Sequence, residues 1–397
     1  VIGAYKVWIW RKKCQYYNSI DYILLAIDVP EDNEKDPRAF EQILIGFHGA
    51  HKTFNFVETY FEGRIQEPLS LEIVGINGHI RFLVRTPEYF RDLVEANIYA
   101  QYPEAEITEV DDYTKYVPTY YPDKEYDLFG IEFHLLKEDA YPIRTYKQFM
   151  GDLEEEFYDP MSSITEMMNR LSVGEQSWLQ IIITPVLDWK WTEDGKKIVN
   201  KLIERKIPQK DDLFKKIFIK GLHSLEKGVE DSLGVPPAEG IDAPAKKYQA
   251  ESAMLFMSEG EKEVIKSIED NVSKIGYETK IRYIYVARKE VFSKKKGFSA
   301  VIGSMKQFHS YNLNSLKPDL KHDTSVEYFK KYREDRLKNK FLDWYRSRDP
   351  SSGKSPYIMN VEEIATLFHM PYASVKTPAI KRAESKKGGA PSDLPVE

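Results

Sequence analysis

The chain has 397 residues, 42% hydrophobic and 30% charged, enough apolar material for two or three ordinary domains. Its formal net charge of -6 excludes a surface coated in one sign, so contact with nucleic acid or membrane requires a local patch. The single cysteine, Cys14, excludes an intrachain disulfide framework and fits a reducing compartment, and no apolar run of about 18 residues reads as a membrane span.

Residues 1–10 (VIGAYKVWIW) are apolar and aromatic and run straight into a basic cluster. Trp8, Trp10, Arg11, Lys12 and Lys13 match the way a membrane helix closes on its cytoplasmic side, so residues 1–20 are expected to be membrane-proximal. The plainer alternative is an amphipathic opening element packed on the core. Residues 22–29 (YILLAIDV) form a continuous apolar run, the pattern of a buried strand. Asp36-Pro37 then opens a helix with Phe40, Ile43, Leu44 and Phe47 on one face. Two strand-like runs, 69–74 and 79–84, meet at Asn77-Gly78, a pair that tolerates positive φ and marks a hairpin. Thr86-Pro87 opens a second helix and 104–110 reads as a closing strand. Strand, helix, strand, strand, helix, strand is the split βαβ order, so 21–112 is expected to be a ferredoxin-like (βαββαβ) domain.

A Tyr- and Pro-rich linker is expected over 113–126, before a larger α/β-sandwich unit over 126–318. That unit shows strands at 128–136, 177–187 and 279–287, one fewer than a second ferredoxin-like unit needs, and an exposed Pro/Gly/Ala-rich excursion at 234–245. Residues 319–370 read as a helical basic region, ending in a short helix whose capping box is Asn360 with Glu363. Residues 371–397 read as a linker. The fold class is α+β.

Little catalytic chemistry is legible. Gly353-Lys354-Ser355 has the tail of a phosphate loop, but Arg348 stands where its first glycine belongs, and Gly195-Lys196 fails the same test. His48 and His51 share a helical face and could chelate a metal, though the end of a helix is the commoner explanation. The Lys/Arg surroundings of Cys14 would lower its thiol pKa, but no histidine adjoins it. Asp111-Asp112 and Glu154-Glu155-Glu156 read as solvated faces. No catalytic residue, cofactor or metal is therefore expected. The segment 296–301 partly matches an RNA-recognition strand, with Ala300 at the second stacking position, in a stretch that should be helical.

The stronger polyanion candidates are Lys294, Lys295 and Lys296, with the basic aromatic helix carrying Lys330, Lys331, Arg333, Arg336, Lys338, Lys340, Arg346 and Arg348. The same residues suit an anionic membrane surface, a neighbouring subunit or plain solvation.

Several segments resemble the region that precedes the motor in bacterial conjugation-type (type IV secretion) ATPases and related hexameric DNA translocases. They are Ser70 to Val74 with Ile80 to Val84, Ile98 to Ile107 (IYAQYPEAEI), Asp159-Pro160 leading to Gly174-Glu175-Gln176, Gln180 to Ile183 with Pro185, Asn360 to His369, and the tail from Pro378 to Pro395. The resemblance implies a non-catalytic assembly module at the cytoplasmic face of the inner membrane. Its implied partners are other translocation subunits, further copies of itself, a RecA-like motor and DNA. The rival expectation is a single-stranded nucleic-acid-binding protein that uses the basic helix.

Overall fold

The computed structural model describes residues 2–30, 33–149, 158–206, 257–321, 323–324 and 330–372. It divides into two units, Val1–Trp191 with Lys274–Glu397, and Thr192–Ser273. The excursion at 234–245, Glu154 to Glu156 and the tail beyond Tyr372 lie outside the described residues.

The larger unit is built on one sheet. Its strands are β1 (Tyr22–Asp28), β2 (Leu69–Ile76), β3 (His79–Pro87), β4 (Glu106–Glu109), β5 (Tyr126–Leu135), β6 (Glu175–Pro185), β7 (Gly276–Arg288), β8 (Leu316–Pro318) and β9 (Tyr357–Asn360). The order is β4-β1-β3-β2-β6-β7-β5-β8, with β9 on the end of β7, and every pair is antiparallel. The fold is α+β.

Helices lie between the strands in the chain. In the first half α2 (Pro37–Phe47) follows β1, and α3 (Arg91–Gln101) joins β3 to β4. In the second half α4 (Met161–Asn169) joins β5 to β6, and α7 (Lys294–Lys306) joins β7 to β8. The second half thus repeats the strand order of the first from the other side of the β2–β6 junction. Its missing fourth strand is β8, three residues ending at Pro318, too short to show any alternation. The expected boundary at 113–126 is not where the chain divides. β2 pairs with β6 along Leu69–Ile76, so the two halves share one ladder.

Both faces of the sheet are covered, which is why the strands read as unbroken apolar runs although they are antiparallel. On one face Leu25, Ile27, Leu71, Ile73, Ile131, Ile181 and Tyr283 meet α2, α3, α4, α7 and α9 (Val361–Leu367). On the other, Leu24, Ala26, Val74, Trp178 and Ile284 meet α8 (Lys330–Ser347) and the 113–121 segment. That segment packs as part of the fold: Tyr113, Val117 and Tyr121 are buried, and Asn339 of α8 accepts from the Tyr121 amide.

Cap chemistry behaves as the sequence predicts. The Asp36 side chain accepts from the Arg38 amide at the start of α2, and Asn360 and Glu363 close a reciprocal capping box on α9. The segment around 296–301 lies in α7.

The smaller unit contains most of α5 (Asp188–Lys206) and all of α6 (Glu259–Val272). A Cβ at Gly195 would meet the Val272 side chain at 2.4 Å, so the glycine lets these helices approach closely. The Thr192 hydroxyl donates to the Val272 carbonyl. No helix among the described residues is long and apolar enough to cross a membrane.

Candidate functional site: an aromatic and basic face

The opening segment is a helix, α1 (Ile2–Asn18), with no acidic residue and with Lys6, Arg11, Lys12 and Lys13 along it. The Tyr16 hydroxyl donates to Glu67 Oε1 at 2.6 Å, and that of Tyr17 donates to the Ser347 carbonyl at 2.7 Å. Gly63, at φ 75°, lies against the backbone of Lys12, where a Cβ would come within 2.6 Å of the Lys12 carbonyl carbon. Gly63 closes a single π-helical turn, Glu58–Glu62, alongside α1.

Aromatic rings from these two segments meet at the surface. Trp8 contacts Phe61 edge-on at 6.1 Å between centroids, Tyr5 stacks on Trp8, and Phe56 packs on Tyr60 at 4.8 Å. These rings remain open to solvent, as do Val7 and Val57; Trp10 and Phe56 are 65% and 67% exposed. Glu58 and Glu62 are both engaged by Arg64, at 2.9 and 2.8 Å. Lys6, Arg11, Lys12 and Lys13 form no ion pair among the described residues. Tyr5, Trp8, Phe56, Tyr60 and Phe61 therefore form one exposed cluster, and α1 adds Trp10, about 200° around its axis from Trp8, together with cations that form no ion pair among the described residues. A monomeric soluble surface seldom carries such a patch without a partner.

The residues expected to form a polyanion face are not gathered into one. Lys296 reaches Glu175 at 2.5 Å, and Lys294 lies over the Phe129 ring. Lys338 pairs with Asp127, Arg346 donates to the carbonyls of Thr114 and Val117, and Lys340 lies over Trp344. Lys295, Arg333 and Arg336 are exposed; Lys330 and Lys331 are described only as positions in α8.

Arg348 is the clearest correction, because it is buried. It donates to both carboxylate oxygens of Glu72 at 3.0 and 3.1 Å and to Asp112 at 2.5 Å. Asp112, expected on a solvated face, is held there by that guanidinium; Asp111 is exposed. Glu72, Gln180, Arg282 and Glu132 are direct partners across β2, β6, β7 and β5, forming one polar row through the middle of the sheet. Arg282 donates to Glu132 and to the carbonyls of Trp344, Asp349 and Ser352. Gly353, at φ 83°, lies against the Glu132 carboxylate, which accepts from the Lys354 amide at 2.9 Å. The Gly353-Lys354 pair thus serves a carboxylate, in a turn that follows a helix. It has none of the surroundings of a phosphate loop. Burial opposes the charge on Glu72, yet Arg348 and the Ser70 and Tyr113 hydroxyls hold its carboxyl below the usual range.

The remaining candidates are occupied structurally. The rings of His48 and His51 stack at 5.7 Å, and His48 Nε2 faces the Val186 carbonyl at 3.1 Å. No group of three metal-ligating side chains occurs among the described residues. Burial and the nearby Asp349 carboxylate push the Cys14 thiol pKa up, opposite to the direction its basic neighbours suggested. A buried His369–Asp159 contact at 3.0 Å has the look of a catalytic dyad. The other ring nitrogen is committed to the Ala365 carbonyl at 2.7 Å, which makes the pair a tie for α9.

Residues 27–383 match a family model described as a domain of unknown function (DUF8128). No curated protein matches the chain.

Proposed function

From the premise that the chain belongs to the DUF8128 family, a domain of unknown function, we propose that it is a non-catalytic docking and assembly module of a membrane-associated translocation machine. One observation carries this reading. It is the exposed cluster of Tyr5, Trp8, Phe56, Tyr60 and Phe61, on and beside a helix that also carries exposed Trp10 and the cations Lys6, Arg11, Lys12 and Lys13. Aromatic rings suit the boundary between acyl chains and headgroups, and unpaired lysines and arginines suit anionic lipid at about 1 kcal/mol each. The resemblance to the pre-motor region of type IV secretion ATPases supplies the machine: a RecA-like motor and sister subunits gathered at the cytoplasmic face of the inner membrane. Its alternative, a single-stranded nucleic-acid binder working through α8, loses support because Lys338, Arg346 and Arg348 are already engaged.

Vesicle flotation tests the docking. The full chain should float with vesicles of phosphatidylcholine and phosphatidylglycerol in equal parts, less so at high salt, and not with phosphatidylcholine alone. A Trp8→Ser, Phe56→Ser, Phe61→Ser variant should lose flotation while melting as the parent does. Equal flotation of parent and variant would refute the docking. Crosslinking in native membranes tests the assembly, which fails if no RecA-like ATPase is recovered with the chain.

A further inference from the structure

A groove of about 550 Å³ lies where the end of α7 meets the edge strand β8, and neither the sheet core nor the aromatic face accounts for it. Its floor is apolar: Phe133 from β5, Ile302 and Met305 from α7, and Leu316 from β8. Its charged lining has one sign. Arg144, Lys306 and Lys317 border it together with His309, and no carboxylate of the described residues lines it.

The cations are not spent elsewhere. Lys306 and Lys317 form no ion pair among the described residues. The Arg144 guanidinium lies 4.0 Å over the Phe149 ring and donates once to the Gln148 carbonyl, so it is held in place, and it pairs with no carboxylate among the described residues. Tyr311, beside the His309 ring at 4.6 Å, is 91% exposed.

We infer that this groove binds a phosphate-bearing nucleobase ligand in the form of a single nucleic-acid strand. Cations without competing acids attract phosphates, and an exposed ring beside them offers a stacking surface to any base. The groove is open to solvent along an edge strand, so a chain can run through it. Duplex does not fit the inference, since a base must leave its stack to reach Tyr311.

Fluorescence anisotropy with labelled oligothymidylate tests the inference on the full chain. Binding should weaken steeply with salt, by about tenfold or more in a Lys306→Glu, Lys317→Glu variant, and severalfold in Tyr311→Ala. The lysine variant should also show a shallower salt dependence, because each lost phosphate contact removes about 0.7 from the logarithmic slope. Lys295→Glu, an exposed α7 cation outside the groove, should change binding by less than these variants do. Two competitors separate the sources of the chemistry. Inorganic phosphate or free thymidylate that displaces the strand at equal phosphate concentration would reduce the groove to a plain anion or mononucleotide site. Equal affinity for duplex of the same length, or unchanged affinity in the groove variants, would overturn the inference. Vesicle flotation should be unaffected by all these substitutions, so it can fail or succeed independently.

Discussion

Arg348 adopts φ 51°, a conformation that costs a non-glycine residue energy, and it does so with its side chain fully enclosed. The compensation is the double contact with Glu72 and Asp112 on the far side of the sheet from α2. A buried ion pair is weak evidence for net stability, but removing one partner strands the other charge at a cost of about 3–5 kcal/mol. Arg348→Met should therefore lower the unfolding free energy by about that amount in urea titration. Glu72→Gln added to it should recover part of the loss, since the stranded carboxylate is gone. A single-variant loss under about 1 kcal/mol would show that the pair is solvated. Glu363 offers a signed dependence on pH. Burial pushes its carboxyl up to about 7 from 4.5, against the amides of Asn360 and Ile143 that favour the charged form. The folded state then holds a proton that the unfolded state has released, so its destabilising contribution grows as pH rises from 4.5 to about 7 and is complete above that. Glu72, Asp112 and Asp159, held below their ordinary values despite burial, contribute in the opposite sense: their stabilisation is present above the ordinary carboxylate pKa and lost as acid titrates the folded protein. Melting curves across this range should show the Glu363 contribution as a difference between the parent and Glu363→Gln. Parallel curves would contradict it.

At the scale of elements, legibility followed the length and regularity of each segment. The α2 cap and the α9 capping box could be read because their polar atoms and partners lie three residues apart or closer. β8 could not, because three residues carry no period. The 113–121 segment has the Tyr and Pro content of a linker; only the topology shows that a bare sheet face awaits its rings. The basic character of α8 misled for a similar reason. A lysine such as Lys338 has the same letter whether solvated or, as found, enclosed beside Asp127. Half of the aromatic face, the part on α1, was legible in Trp8 and the basic cluster after it, although Trp10, read with it, turns to the other side of the helix. The other half comes from Phe56 to Phe61, about fifty residues away, and no local pattern links the two. The groove was invisible because Arg144, Lys306 and Lys317 are scattered singly. The seat of α8 on the sheet gives a direct test. Gly130 of β5 leaves room for Phe341, and a Cβ there would fall 2.4 Å from its ring. Phe341 is itself 1% exposed and has no open side to move into. Gly130→Ala should thus cost about 1–3 kcal/mol by urea unfolding, and pairing it with Phe341→Leu should cost less than the two changes summed. Simple additivity would mean that the helix shifts freely over β5.

For the whole molecule, the continuous sheet decides which parts can be separated. A cut near residue 126 would leave β2 and β6 as long, apolar, unpaired edges, the kind of surface that aggregates. The β6–β7 connection is different. Pro185 and Tyr277 are direct partners at the end of one ladder, so the chain leaves and rejoins the sheet at neighbouring points. Trp191, the last residue of the larger unit before the excursion, is buried and lies against Gly276, within 3.5 Å of the position a Cβ would take there. The ends to be joined are therefore close, and loop-closure entropy changes only slowly with length, by about 0.6 kcal/mol per doubling. Replacing Thr192–Ser273 with a short Gly-Ser linker should leave one cooperative unfolding transition, with helical signal lost in circular dichroism and the strand signal kept. If the groove and the aromatic face belong to the larger unit alone, this variant should still float with anionic vesicles and still bind oligothymidylate. A second transition in the parent that vanishes in the variant would mark Thr192–Ser273 as folding on its own. An insoluble variant, by contrast, would mean that the sheet needs the excursion, against the placement of every β6–β7 partner in a ladder that closes without it.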